Sequence, residues 1–399
     1  MALRLVQDFL KSYDPYYGVG TVTSSVWDTA WVSMLRSKDG NSWAFPECFD
    51  YLVESQASSG GWGNPFRDIE QICCSMAAIL AMKTRLNTLC EYSEEEWGEI
   101  DLRCNRAIHF VKDCLPSWSI DNIDDALPVG LELYLPVLLQ QLGKYGVIFN
   151  VPGIDRIQHM GNTKLHKIPV EMLYGESKIA ATFSLEGFIG KVDFDQINHQ
   201  KGLGSLCASP ASTAVYLMYR SVWDDEAEKY LRHVVNLSIS QANRGIPNFY
   251  PSTTFELTWV VSTLLESGFS ASDLSLDCKD KIIAILRAEL DEQDGITGWT
   301  DPDDTAKSLS TLYLLGAPYS PDALLRTYEG ESHFFTYPQE RNPSVSVNAN
   351  VLMCLLHLSQ DADHNMAIEK CVRYLCNRWW DGLLQDKWVS ETNYAILQC

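Results

Sequence analysis

What most constrains the fold is the spacing of apolar residues, which recur every three or four positions in short blocks along most of the chain. Ile108–Leu115, Gly130–Leu142, Thr253–Leu265, Asp280–Leu290, Thr305–Leu315 and Val351–Leu358 all follow this rule. The period is that of an α-helix with one apolar face. Clusters of Gly, Pro, Asn and Asp separate the blocks, as at Ser58–Gly63, Asn243–Pro247 and Gln293–Trp299. Strand signals are weak. Short helices punctuated in this way predict an all-α fold of antiparallel helix pairs, not a long coiled coil.

One turn recurs between the helical blocks. Gln56-Ala-Ser-Ser-Gly-Gly-Trp62-Gly63 and Gln293-Asp-Gly-Ile-Thr-Gly-Trp299 both combine Gln, Gly and Trp. Ile197–Ser205, with Gln200 and Gly204, is a looser copy that lacks the tryptophan. Glycine permits a tight turn, a glutamine amide bonds to backbone, and tryptophan stacks across the turn. Repeated turn chemistry points to a barrel of helical hairpins, with chance recurrence as the alternative.

A chain of 399 residues suits two domains of ordinary size, and 46% hydrophobic residues with interspersed charge describe a globular protein. The net charge of -21 disfavours nucleic acid and anionic membrane surfaces as partners. An anionic substrate would need a few local cations or a bound metal. The 12 cysteines are scattered, without a C-x-x-C pair, and the adjacent Cys73 and Cys74 are poorly placed to bridge. Free buried thiols in a reducing compartment are the expectation. Met1–Asp14 lacks a basic segment followed by an apolar block, no apolar run reaches ~20 residues, and a sequon at Asn236 would go unused. A soluble, cytoplasmic protein is expected.

The most informative stretch is Asp301-Pro302-Asp303-Asp304-Thr305-Ala306. Asp301 reads as a helix N-cap, Pro302 as the first helical residue, and Asp303 and Asp304 as first-turn acids. Acids in that turn are commonly explained by the helix dipole alone. Alternatively, crowded carboxylates cannot all ionise, so one keeps its proton at neutral pH. Protonation of an alkene needs such an acid, in a site that excludes water and bases.

Asp301–Ala306 resembles the D-x-D-D-T-A motif of the class II diterpene cyclases, and further matches follow in family order. Ser25-Val-Trp-Asp28-Thr-Ala-Trp31-Val resembles Y-D-T-A-W-V, and Gln56–Trp62 resembles Q-x-x-x-G-x-W. Ala208–Ala214 is similar to S-P-S-x-T-A, Gly245–Pro251 to G-V-P-N-V-Y-P, and Asp386-Lys387-Trp388 to D-K-W. Trp223–Glu228, Arg341–Ser344 and Arg378–Trp380 look most like the fungal bifunctional copalyl diphosphate and kaurene-type synthases.

The resemblance implies a γβ terpene cyclase built of two helical barrels. Residues 1–46 and 271–399 would form a β domain, and 47–270 an inserted γ domain. It implies protonation-initiated cyclisation of geranylgeranyl diphosphate to a bicyclic copalyl-type diphosphate. Asp303 would be the general acid, tuned by Asp301 and Asp304. Asn348 would hold its proton in the reactive direction, with Asn350 the weaker candidate, and a purely structural amide is the alternative reading. Lys164, in Lys164-Leu-His-Lys167-Ile-Pro169, and Lys387 would meet the diphosphate. Asp121 and Asp124 match an acidic element that binds Mg2+, with Ile120 in place of its leading glutamate.

Other departures qualify the match. Asn248 corresponds to the asparagine of a His–Asn pair that terminates the plant reaction, but Phe183 stands at the histidine position. A phenyl ring cannot accept a proton, so no base is assigned. D-D-x-x-D is absent, so diphosphate ionisation is not expected. The chain stops at Cys399, soon after Trp388, so the β barrel is expected to be incomplete. A truncated, non-catalytic isoprenoid-binding or interaction module is therefore an alternative to the cyclase. A helical-toroid glycosidase with a carboxylate pair is a third reading, which the ordered matches disfavour.

Overall fold

The computed structural model describes residues 2–20, 23–63, 68–88, 92–118, 128, 130–240, 245–291, 295–296, 301–337, 340, 343–358, 364–384 and 386. The helices are α1 (Ala2–Ser12), α2 (Val26–Ser33), α3 (Pro46–Ser55), α4 (Asp68–Leu86), α5 (Glu94–Cys114), α6 (Leu131–Gly143), α7 (Ile154–Lys167) and α8 (Pro210–Tyr219). They continue with α9 (Asp225–Ser240), α10 (Thr253–Glu266), α11 (Leu276–Glu289), α12 (Pro302–Leu314), α13 (Asp322–Tyr328), α14 (Val345–Leu358) and α15 (Asn365–Trp380). Among the described residues, β-structure is limited to two two-residue hairpins and isolated bridges. The all-α expectation holds, and each periodic block falls within or largely within a helix. No helix among the described residues is long and apolar enough to cross a membrane.

Packing divides the chain into two units. Unit 1 contains residues 2–20 and the described residues from 251 onward, and unit 2 those from 23 to 118 and from 128 to 250. These boundaries differ from the divisions expected at 46/47 and 270/271. The reason is that α2 packs on α3, α4 and α8, while α10 packs on α1 and α12.

In unit 1, α12 is the central element, packed on α10, α11, α13 and α14. Leu312 joins Val6, Leu10, Leu257, Val261, Ile282, Ile285 and Leu286 in one apolar cluster. Ala306 and Leu309 join Leu324, Phe334, Val347, Val351, Cys354 and Cys371 in another. Because α12 is covered on several sides, its buried positions are apolar or short and polar, with Lys307 the exception. Thr305 and Thr311 return their hydroxyl protons to the carbonyls of Asp301 and Lys307, both at 2.7 Å.

In unit 2, three of the family-like segments touch one another. Ser25 caps α2, its Oγ accepting from the Asp28 amide at 3.2 Å and donating to Asp28 Oδ2 at 2.7 Å. Asp28, 3% exposed, also accepts from the Ala211 amide at 3.1 Å, which ties α2 to the start of α8. The Ser25 amide donates to the Ile246 carbonyl at 2.7 Å, and the Ile246 amide donates to Thr29 Oγ1 at 3.1 Å. Tyr250 N–H donates to the Ala208 carbonyl at 2.8 Å. Much of the motif similarity in unit 2 is therefore structural wiring.

The Gln56–Trp62 turn follows its expected chemistry. Gln56 Nε2 donates to the carbonyls of Gly60 and Arg103 at 2.8 and 3.0 Å. Trp62 is buried, and its Nε1 donates to the Leu52 carbonyl at 2.8 Å. In the looser copy, fully buried Gln200 donates to the Leu173 and Ser177 carbonyls and accepts from the Ile179 amide. Most of the Gln293–Trp299 copy lies outside the described residues. The described cysteines are free thiols, most of them buried. Burial raises the Cys104 thiol to about 11 and that of Cys354 to about 12.

Candidate active site

Asp301 has extended backbone and caps α12, with its Oδ1 accepting from the Asp304 amide at 2.8 Å. Pro302 follows at the first helical position, where its missing N–H costs nothing. Asp303 and Asp304 therefore occupy the first turn, where the helix dipole favours their anions. Desolvation opposes that preference.

Asp303 is half-buried, and desolvation raises its carboxyl from 3.8 to about 7. The neighbouring Asp301 and then Asp386 push in the same direction, while the Asn350 hydrogen bond and the Lys307 charge pull it down. Asp304 is raised well above the usual carboxylate range, first by burial and then by Asp301 and Asp303. The two first-turn carboxyls are too close to ionise independently. Near neutral pH, then, the site holds a proton on carboxyl oxygen in a largely desolvated place.

Geometry distinguishes the two. Asn350 Nδ2 on α14 donates to Asp303 Oδ1 at 2.6 Å. This bond fixes the plane of the Asp303 carboxyl and leaves Oδ2 to carry the proton. The Asp304 carboxyl makes no side-chain hydrogen bond among the described residues. Asp303 is thus an oriented acid, and Asp304 a neighbour whose charge matters.

The orienting amide corrects the sequence expectation. Asn348 does not reach Asp303. Its Oδ1 accepts from the Phe334 amide at 2.8 Å, and its Nδ2 donates to the Phe334 and Ser344 carbonyls, both at 2.9 Å. This fully buried amide pins the 334 segment to α14 and has no donor left for an acid. Asn350, taken as the weaker candidate, faces α12 instead.

The end of the described chain adds a residue that sequence reasoning passed over. Asp386 is 4% exposed and accepts from Ser344 Oγ and the Ser346 amide, both at 2.8 Å. Its anion raises the Asp303 carboxyl. The D-K-W resemblance drew attention to Lys387, which lies outside the described residues, whereas the aspartate before it acts on the acid. A second overlooked residue is Lys307, buried on α12 with its Nζ 5.5 Å from the Trp259 ring centroid.

The remaining expected residues lie in unit 2 or outside the described residues. Lys164 on α7 is paired with Glu132 on α6, Nζ to Oε1 2.8 Å, with both side chains largely covered. A diphosphate at Lys164 would have to compete with Glu132 for the ammonium. Asn248 is exposed in the 245–250 segment, and Phe183 is 38% exposed. Asp121 and Asp124, the expected Mg2+ carboxylates, lie outside the described residues. Among the described residues, no group of three or more His, Cys, Asp or Glu side chains is placed to hold a metal ion.

No family model matches the chain. It is 37% identical over 403 residues to copalyl diphosphate synthase of Talaromyces verruculosus, covering 99% of this chain and 41% of that protein. It is 36% identical over 407 residues to bifunctional ent-kaurene synthase of Gibberella fujikuroi (strain CBS 195.34 / IMI 58289 / NRRL A-6831), covering 99% of this chain and 42% of that protein. The chain thus spans about two fifths of the length of these curated relatives. Among solved structures it is similar to ent-copalyl diphosphate synthase from Arabidopsis thaliana in complex with (S)-15-aza-14,15-dihydrogeranylgeranyl thiolodiphosphate. The TM-score is 0.78 at 25% identity, covering 97% of this chain and 53% of that one. In sequence and helical architecture the chain is similar to copalyl diphosphate synthases and related diterpene synthases, and its fold is that of the γβ terpene cyclases.

Proposed function

We propose that the chain carries the acid half-reaction of a class II diterpene cyclase, with Asp303 as the proton donor and geranylgeranyl diphosphate as the substrate. The observation that carries this reading is the Asp303 carboxyl, raised to about 7 and held at Oδ1 by Asn350. The Oδ2–H bond breaks as the terminal double bond of the substrate takes the proton. The tertiary carbocation is attacked by the next two double bonds, which closes two rings. Loss of a proton from carbon ends the cascade with the diphosphate retained. A solved relative bound to a geranylgeranyl thiolodiphosphate analogue supports the substrate class.

Unit 1 would correspond to the β domain and unit 2 to the γ domain. Lys164 and Lys387 remain the proposed diphosphate contacts, and Asn248 a proposed contributor to termination. Mg2+ would neutralise the diphosphate through Asp121 and Asp124, and the proton transfer from Asp303 does not depend on it. A cytoplasmic location suits the free thiols.

The test is incubation of the chain and its Asp303→Asn variant with geranylgeranyl diphosphate and Mg2+. Dephosphorylated products are then separated by gas chromatography and identified by mass spectrometry. A bicyclic alcohol from the parent alone is expected. Unchanged geranylgeraniol from a folded parent would overturn the reading in favour of a non-catalytic isoprenoid-binding module.

A further inference from the structure

We propose that Lys307 is a positioning residue for the proton transfer, a buried fixed cation that stabilises the Asp303 carboxylate as its proton leaves. The inference rests on Asp303 as the acid. Lys307 follows Asp303 by four positions on α12, which places it on the same face one turn along. Its ammonium lies 5.5 Å from the centroid of the Trp259 ring on α10, and its charge reaches the Asp303 carboxyl from there.

Lys307 is 8% exposed, and among the described residues its ammonium makes no hydrogen bond or ion pair. Its close polar contact is the face of Trp259 on α10. A desolvated ammonium without a bonded counter-ion is expensive to keep. Here it stands within the field of an acidic cluster, and it acts on Asp303 itself. The other charges acting on Asp303 are Asp301 and the mutually interacting Asp304 at the start of its own helix, and Asp386 from the segment after α15. On α14, His357 feels Lys307 as well as Glu266 of α10, and burial holds its imidazole below the usual histidine value. From α11 and α13 the groups clustered with α12 are Ile282, Ile285, Leu286, Leu324 and Tyr328. Among the described residues, Lys307 is thus the cation that acts on Asp303 against these carboxyls.

The chemistry explains why such a charge belongs there. When the alkene π pair takes the proton, the bonding pair of O–H remains on Asp303 as a carboxylate. Asp301 and Asp386 oppose that developing anion, and a preorganised ammonium offsets them without rearrangement. Without it Asp303 would hold its proton more tightly and be a weaker acid.

The test compares the parent with Lys307→Met, which keeps the apolar stem, and Lys307→Arg, which keeps the charge. Asp303 is titrated directly by infrared difference spectroscopy of its carboxyl C=O stretch, with Asp303→Asn as the blank. Turnover of geranylgeranyl diphosphate is followed over the same pH range. In Lys307→Met the C=O titration and the alkaline limb of turnover should both move up by roughly one pH unit, and plateau kcat should fall about tenfold. In Lys307→Arg the titration should stay near the parent's. A folded Lys307→Met with the parent's titration midpoint overturns the proposal. Should that variant not fold, Lys307→Gln is read in the same way. If the parent titrates as expected but forms no cyclic product, the cyclase reading fails, and the infrared comparison still decides the role of Lys307.

Discussion

Asn348 and Asn350 stand two positions apart on α14, about 200° around the helix, so one cannot replace the other against α12. The acidic cluster was legible as a cap followed by crowded carboxyls. The face that α14 turns towards it was not, because that orientation is set by packing of Val347, Val351 and Cys354 against α12, α13 and α15. The two amides should separate cleanly on substitution. Asn350→Ala should lower kcat about ten- to a hundredfold, with a loss of stability to urea of no more than about 1–2 kcal/mol from its single lost bond. It should also move the alkaline limb of turnover to higher pH, because the lost bond favoured the carboxylate. Asn348→Ala should cost about 1–3 kcal/mol of stability, because it leaves the Phe334 N–H and C=O buried without partners. The folded fraction of that variant should turn over normally, as read by activity against a urea series.

At the scale of elements, the helical periodicity and the α12 start signal were legible because they depend on neighbours a few positions away. The Gln56 turn was partly legible. Its glutamine bonds backbone as expected, but Trp62 is held by the last-turn carbonyl of Leu52 in α3, a contact set by the angle between chain segments. Gly61 shows how tightly that turn is packed, for an added Cβ would lie 2.2 Å from Cε1 of Phe110 on α5. Gly61→Ala should therefore destabilise the protein by about 1–3 kcal/mol, read as a lower thermal midpoint. Gln56→Ala should cost about 1–2 kcal/mol through the orphaned carbonyls of Gly60 and Arg103.

For the whole molecule, composition showed the acidity but not which carboxyls fold into low-dielectric places. Asp303 has a folded value raised from 3.8 to about 7, so between those values the folded state binds more protons than the unfolded one. Its contribution to stability is fully present below about pH 4 and is lost as pH rises through about 7. Asp28 and Glu186 in unit 2 are also raised, primarily by burial, and act with the same sign. Asp303→Asn keeps an acceptor for Asn350 and removes the charge. Its thermal midpoint should exceed the parent's by a few degrees at pH 8, with a smaller gap at pH 5. Differential scanning calorimetry at the two pH values checks both size and sign.

The division into units was legible only roughly, because the chain leaves unit 1 after Gly20 and returns at Pro251. That path has a consequence for synthesis. A ribosome releases α1 long before α10 and α11, the helices that cover Val6 and Leu10. Nascent α1 must therefore wait, with an apolar face uncovered, while the whole of unit 2 is translated. Unit 2 is continuous in time and can close as it emerges, whereas unit 1 is completed only by recapturing its first helix.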